Sequence, residues 1–103
     1  MEDSIARAEA LLTKYPQNEL ARFTLGKAYF DKSDFASAKT HLEIALAGKP
    51  DWMVVQILIG KCELALGNKP AARTAFARAR DLALKQHHEG PLAEMDVALS
   101  DLD

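Results

Sequence analysis

Residues 25–45, LGKAYFDKSDFASAKTHLEIA, and residues 59–79, IGKCELALGNKPAARTAFARA, are two copies of one pattern set 34 positions apart. The offset lays Leu25 on Ile59, Gly26 on Gly60, Ala38 on Ala72, Leu42 on Phe76 and Ala45 on Ala79. Small residues at fixed places inside two helical patterns, recurring at this period, signify stacked helical hairpins rather than a fold enclosing one catalytic pocket. A turn signal sits inside each copy. It is Asp31-Lys32-Ser33-Asp34 in the first and Gly67-Asn68-Lys69-Pro70 in the second, where Asn68 can cap a helix and Pro70 falls in its first turn. Glycine in a helix interior costs roughly 1 kcal/mol relative to alanine, so Gly26 and Gly60 need the close approach of a neighbouring helix in return. Ala38 and Ala72 are the expected contacts.

The same frame reaches both ends of the chain. Ser4, Ala8, Leu11 and Pro16 precede Ala38, Leu42, Ala45 and Pro50 by 34 positions. Residues 3–15 therefore read as the second helix of a hairpin without its first, with Ile5, Ala8, Leu11 and Leu12 as the buried stripe. After the second copy, Gly90-Pro91 breaks the pattern, and Leu92, Met95, Leu99 and Leu102 recur at spacings of three and four. Residues 91–102 are expected to form an amphipathic helix that caps the exposed end of the stack. The expected architecture is a single all-α domain over residues 1–103 with about six helices. It divides into a half-repeat at 3–15, repeats at 19–51 and 52–86, and the cap at 91–102.

The unit from Glu19 to Asp51 carries Leu25-Gly26, Tyr29, Ala38 four before Leu42, Ala45 and a closing Pro50. This order and spacing resemble a tetratricopeptide repeat, with Arg22 at that family's Trp position and Leu42 at its later aromatic position. The second unit keeps Ile59-Gly60, Ala72, Phe76 and Ala79, but has Gln56 for Trp, Glu63 for Tyr and Leu84 for the closing Pro. The resemblance covers nearly the whole chain. It implies a right-handed stack of antiparallel hairpins whose first helices line a concave groove. On this chain the family's contact positions fall on Leu20, Phe23, Thr24, Lys27, Phe30 and Asp31, then on Val54, Ile57, Leu58, Lys61, Leu64 and Ala65. Helical spacing alone puts each set on one face.

The function the resemblance implies is protein–protein interaction: an adaptor or scaffold that binds a protein or peptide segment along Leu20, Phe23, Thr24, Lys27, Phe30, Val54, Ile57, Leu58, Lys61 and Leu64. The clamp by which some family members hold a chaperone's C-terminal carboxylate is not expected, because its Lys position is Phe23 and its two Asn positions are Lys27 and Leu58. Trp52 to Ile59 is too apolar for a helix with a solvated side, so something should cover it: a partner peptide, a second copy of the chain or the chain's own last helix. A self-associating structural protein, a homodimer through that surface, is the alternative reading.

Other functions find little support. The 49% hydrophobic content is ordinary for a globular chain, there is no apolar run of membrane-spanning length, and the first residues lack the layout of a secretory signal, so a cytoplasmic protein with no membrane partner is expected. Cys62 is the single cysteine; between Ile59 and Leu66 it reads as a reduced core thiol. His87 and His88 point about 100° apart on a helix and make a poor chelate, and His41 stands by itself, so no metal site is expected. No phosphate loop, carboxylate pair or catalytic triad can be assembled, which leaves no enzyme and no cofactor. Net charge is −2 but uneven. Lys69, Arg73, Arg78, Arg80 and Lys85 face only Asp81 in their segment, and Glu89, Glu94, Asp96, Asp101 and Asp103 follow without a Lys or Arg. The basic residues do not share one face and no stacking aromatic is interleaved, so nucleic acid is not the expected partner; attraction between the two segments is.

Overall fold

The computed structural model describes residues 3–102, and within them the chain forms six helices and no strand. Met1, Glu2 and Asp103, part of the domain expected over 1–103, lie outside the described residues. The helices are α1 (Ser4–Lys14), α2 (Glu19–Asp31), α3 (Phe35–Gly48), α4 (Met53–Ala65), α5 (Lys69–Lys85) and α6 (Glu89–Asp101). Each packs against the next in chain order, giving a body of 40 × 27 × 22 Å. No helix among the described residues is long and apolar enough to cross a membrane.

Local chemistry sets the helix starts. The Ile5 N–H donates to Asp3 Oδ1 at 3.0 Å, the Ala21 N–H to Asn18 Oδ1 at 3.0 Å, and the Ser37 N–H to Asp34 Oδ1 at 3.2 Å. Each bond satisfies a backbone donor that the first turn leaves without a helical partner. Asn68 precedes α5 but does not cap it: its Nδ2 donates instead to Glu63 Oε1 at 3.2 Å. Gly90-Pro91, expected to break the pattern with the last helix starting at 91, lies inside the first turn of α6, which starts at Glu89. Proline is tolerated there because its missing N–H would have had no partner in the helix.

Three turns share one construction. Ser33, Gly67 and His87 each take a left-handed backbone, with φ of 63°, 84° and 58°. In each, the following N–H reaches back across the helix end: Asp34 to the Tyr29 carbonyl at 3.0 Å, Asn68 to Glu63 at 2.8 Å, and His88 to Ala83 at 2.9 Å. This reversal satisfies carbonyls that the last turn would otherwise orphan. Only the middle turn uses glycine, the residue that adopts this backbone without steric cost.

The glycines of the repeat are notches, as expected, but not for the expected partners. A Cβ on Gly26 would stand 2.9 Å from Leu42 Cγ, and one on Gly60 would stand 2.5 Å from Phe76 Cε1. The larger side chain one helical turn beyond each alanine fills the notch, while Ala38 and Ala72 are themselves fully buried. The central cluster joins Ala38, Leu42, Val55, Leu58, Ile59, Cys62 and Ala75. A second cluster runs from Met53 and Ile57 through Phe76 and Ala79 to Met95 of α6. At the other end Ala8 is the buried residue of α1, with Ile5 and Leu12 partly covered; Leu11, expected in that stripe, is 39% exposed. Among the described residues α1 packs chiefly against α2, so its buried face is narrow.

Candidate functional site

The face expected to bind is carried by α2 and α4. On α2, Leu20 is 61% exposed and stands free of the core. One turn later Phe23 is half-buried, with its ring centroid 4.9 Å from that of Trp52 at a tilt of 36°. The Lys49 Nζ stands 5.4 Å from the Trp52 ring centroid, at cation–π distance. Thr24 turns its hydroxyl back to donate to the Leu20 carbonyl at 2.8 Å. Lys27 Nζ donates to both oxygens of Asp31, at 2.8 and 3.1 Å, a pair four residues apart on an exposed surface. Phe30 meets Phe35 edge-on at 5.5 Å, where the hairpin turns.

On α4 the expected set divides. Val54 is 48% exposed and Leu64 43% exposed, whereas Ile57 and Leu58 are each 7% exposed and cannot line an open groove. Ile57 lies in the cluster that contains Met95, with Leu92 and Leu99 of α6 packed against it. Leu58 belongs to the central cluster, against which Phe23, Phe30 and Trp52 pack. Lys61 lies 3.5 Å from Glu94 of α6.

The last helix covers part of the Trp52–Ile59 stretch: Met53 and Ile57 share a cluster with Met95, whereas Val55, Leu58 and Ile59 are buried in the central cluster. Met53, Val55, Ile57, Leu58 and Ile59 are all buried, and within the stretch only Val54 is exposed. The expected attraction between the basic and acidic segments is present: Arg80 donates to Asp96 at 2.5 Å, and the Arg73 guanidinium donates to the Leu102 carbonyl at 2.9 Å.

The remaining candidates find structural places. Cys62 is fully buried, and burial pushes its thiol up to about 11. His41 is not isolated: its ring stacks on Tyr29 at 5.5 Å and 3°, and Arg22 approaches its Nδ1 at 3.2 Å. Burial first, and then the Arg22 charge, hold its pKa below the usual imidazole range. His87 and His88 serve the turn between α5 and α6.

Trp52, expected only as the head of an apolar stretch and not among the groove positions, is brought against Phe23. It lies in the loop before α4, outside the helical spacing that selected the others. Its signal was an aromatic side chain at the head of an apolar helix, next to Lys49.

The profile of the tetratricopeptide repeat family matches residues 23–87. The TPR repeat-containing protein PA0015 of Pseudomonas aeruginosa is 34% identical over 95 residues, which cover 92% of this chain and 90% of that protein. The solution structure of protein BPP2914 from Bordetella parapertussis aligns with a TM-score of 0.87 and 32% identity, over 99% of this chain and 89% of that one. A tetratricopeptide repeat domain protein from Salinibacter ruber shares the fold, with a TM-score of 0.75 at 18% identity over 85% of this chain and 89% of its own. Repeats of this kind are generally protein–protein interaction modules. The chain belongs to the tetratricopeptide repeat family.

Proposed function

We propose that this chain is a non-enzymatic adaptor that binds a segment of another protein across α2 and the start of α4. One observation carries the reading: the half-buried Phe23–Trp52 pair is flanked by the exposed apolar side chains Leu20 and Val54. Aromatic anchors within an apolar surround and a charged rim are the makeup of an interface hot spot. Lys27 and Lys49 supply the rim, which favours a segment with apolar anchors and an acidic group. The surface narrows towards α6, because Ile57 is covered, so the segment lies over the first repeat more than the second.

Site-specific photo-crosslinking tests this. A photoreactive residue at position 20 or 54 is expected to capture a partner that the same probe at Ala77, exposed on α5, does not. Lys27→Glu should weaken binding of that partner more at low salt than at high salt, since exposed charges are screened over about 10 Å at roughly 0.1 M ionic strength. Capture at position 77 alone would remove the groove from consideration.

A further inference from the structure

The two repeats differ on the side of α4 that faces away from this groove. Successive helical residues turn by about 100°, so Gln56 and Glu63, each two positions from Val54 and Lys61, lie roughly opposite the groove face. With Leu46 of α3 and Ala75 and Arg78 of α5, they line a cleft of about 600 Å³ whose mouth includes Pro50. That size lies within the range of about 300–1,000 Å³ usual for small-molecule pockets.

The repeat offset shows what fills the same place elsewhere in the molecule. The counterparts of Gln56, Glu63 and Ala75 are Arg22, Tyr29 and His41. In the first repeat the His41 imidazole lies flat on Tyr29 with Arg22 beside its Nδ1. In the second, Ala75 reaches in with only a methyl group, and no ring occupies the space.

Polar groups are left waiting in that space. Gln56 is 5% exposed, and its side-chain amide makes no hydrogen bond to another described residue. No buried side-chain nitrogen or oxygen among the described residues is shut from solvent without a partner, so the Gln56 amide retains access through the cleft that it lines. An amide so deeply placed without a protein partner is costly unless something enters to meet it. Glu63 accepts from Lys39 at 3.0 Å and from Asn68 at 3.2 Å, both on Oε1, so Oε2 has no bond to a described residue.

We propose that this cleft binds a planar heterocycle with a ring N–H, of the imidazole class, in the position that His41 occupies in the first repeat. A ring N–H donates to Glu63 Oε2 or to the Gln56 carbonyl oxygen, and an unprotonated ring nitrogen accepts from the Gln56 Nε2. Leu46 and Pro50 supply the apolar walls. The ring arrives on a histidine side chain of a peptide or on a free small molecule, and the site is independent of the groove on the opposite face.

The test is an NMR titration of the full chain with imidazole, with Nα-acetyl-histidine methylamide, and with phenol, a ring of similar flatness with no ring nitrogen. Imidazole and the histidine derivative are expected to give saturable shifts of the Gln56 side-chain amide and the Ala75 methyl; tighter binding of the derivative assigns the ring to a peptide, and equal binding to a free molecule. Gln56→Leu should weaken imidazole binding by about three- to tenfold, the worth of one net hydrogen bond. Ala75→His, which copies the first repeat's own ring, should abolish it. No shift at these two probes in the unaltered chain overturns the proposal, whatever the variants do. So does phenol binding as tightly as imidazole, or unchanged affinity in folded Gln56→Leu.

Discussion

Gly60 lies directly beneath the Phe76 ring, close enough that a Cβ there would come within 2.5 Å of ring carbon Cε1. The equivalent contact in the first repeat, Gly26 with Leu42 Cγ at 2.9 Å, is looser and meets a branched aliphatic chain able to change rotamer. Gly60→Ala is expected to destabilise by about 1 to 3 kcal/mol through overpacking, partly offset by the roughly 1 kcal/mol that alanine gains in helix propensity. Gly26→Ala should cost less. Thermal melts of the two variants decide this, and a Gly60→Ala protein more stable than its Gly26→Ala counterpart would refute the notch.

Ser33 and His87 hold the left-handed backbone that Gly67 adopts without strain. A side chain in that conformation costs roughly 1 to 2 kcal/mol, against which glycine loses some unfolded-state entropy. Ser33→Gly and His87→Gly should each therefore raise stability, by about 0.5 to 1 kcal/mol. A lower melting temperature in both would mean that these side chains contribute contacts that outweigh the backbone strain.

Protonating His41 opposes two features at once: the ring is partly buried, and Arg22 stands at its Nδ1. Its folded-state pKa is lowered, so the unfolded chain takes up a proton first as pH falls. The stability that neutral His41 contributes is complete above the unfolded value near 6.5 and is lost below it. Urea midpoints measured from pH 7.5 to 5 should fall for the parent chain, and less steeply for His41→Phe. Parallel curves would exclude this origin.

Cys62 carries the opposite sign. Burial raises its thiol from 9.0 to about 11, so the folded state keeps a proton that the unfolded state gives up. Stability should decline across that window by on the order of 2 to 3 kcal/mol. Lys39, whose pKa is raised from its ordinary value first by its hydrogen bond to Glu63, keeps its charge in the folded state longer than in the unfolded chain as pH rises, and adds to the decline. At neutral pH the thiol should resist iodoacetamide until urea unfolds the chain; rapid labelling of the native protein would contradict its burial.

Lys39 holds Glu63 at 3.0 Å, with 29% of the lysine side chain and 11% of the glutamate side chain exposed. Removing the cation from so covered a carboxylate should cost about 1 to 3 kcal/mol in Lys39→Met. Combining it with Glu63→Tyr, which restores the residue type of the first repeat, should recover most of the loss. Chemical denaturation of the single and double variants measures the coupling, and a Lys39→Met midpoint equal to the parent's would show the pair to be inconsequential.

The hairpins were legible in the sequence because Gly26, Gly60, Ala38 and Ala72 are steric statements: each tolerates one kind of neighbour, and the 34-residue offset repeats the constraint. The contact that fills each notch was not, since a register of small residues shows where helices approach but not which side chain crosses between them. Leu11 and Leu58 failed in opposite senses for a related reason. Leu11 has the right spacing but lies on a helix packed chiefly against α2, and Leu58 lies on the groove face by helical geometry yet within reach of the aromatic residues gathered around Phe23. Tertiary placement decides such residues. The contact of Trp52, outside any helical period, with Phe23 had to await the structure, as did the difference that Gln56, Glu63 and Ala75 make to the outer cleft.

The final helix joins the molecule by two unlike means. Met95 is sealed in hydrocarbon, whereas the flanks of α6 are secured by Lys61–Glu94 and Arg80–Asp96, charges that stand partly in water. Added electrolyte weakens the second kind of fastening and leaves the first almost untouched. Rising salinity should thus weaken the ion pairs on either side of this helix while Met95 keeps it seated, so that the same turn of α6 carries one fastening that senses the ionic surroundings and one that does not.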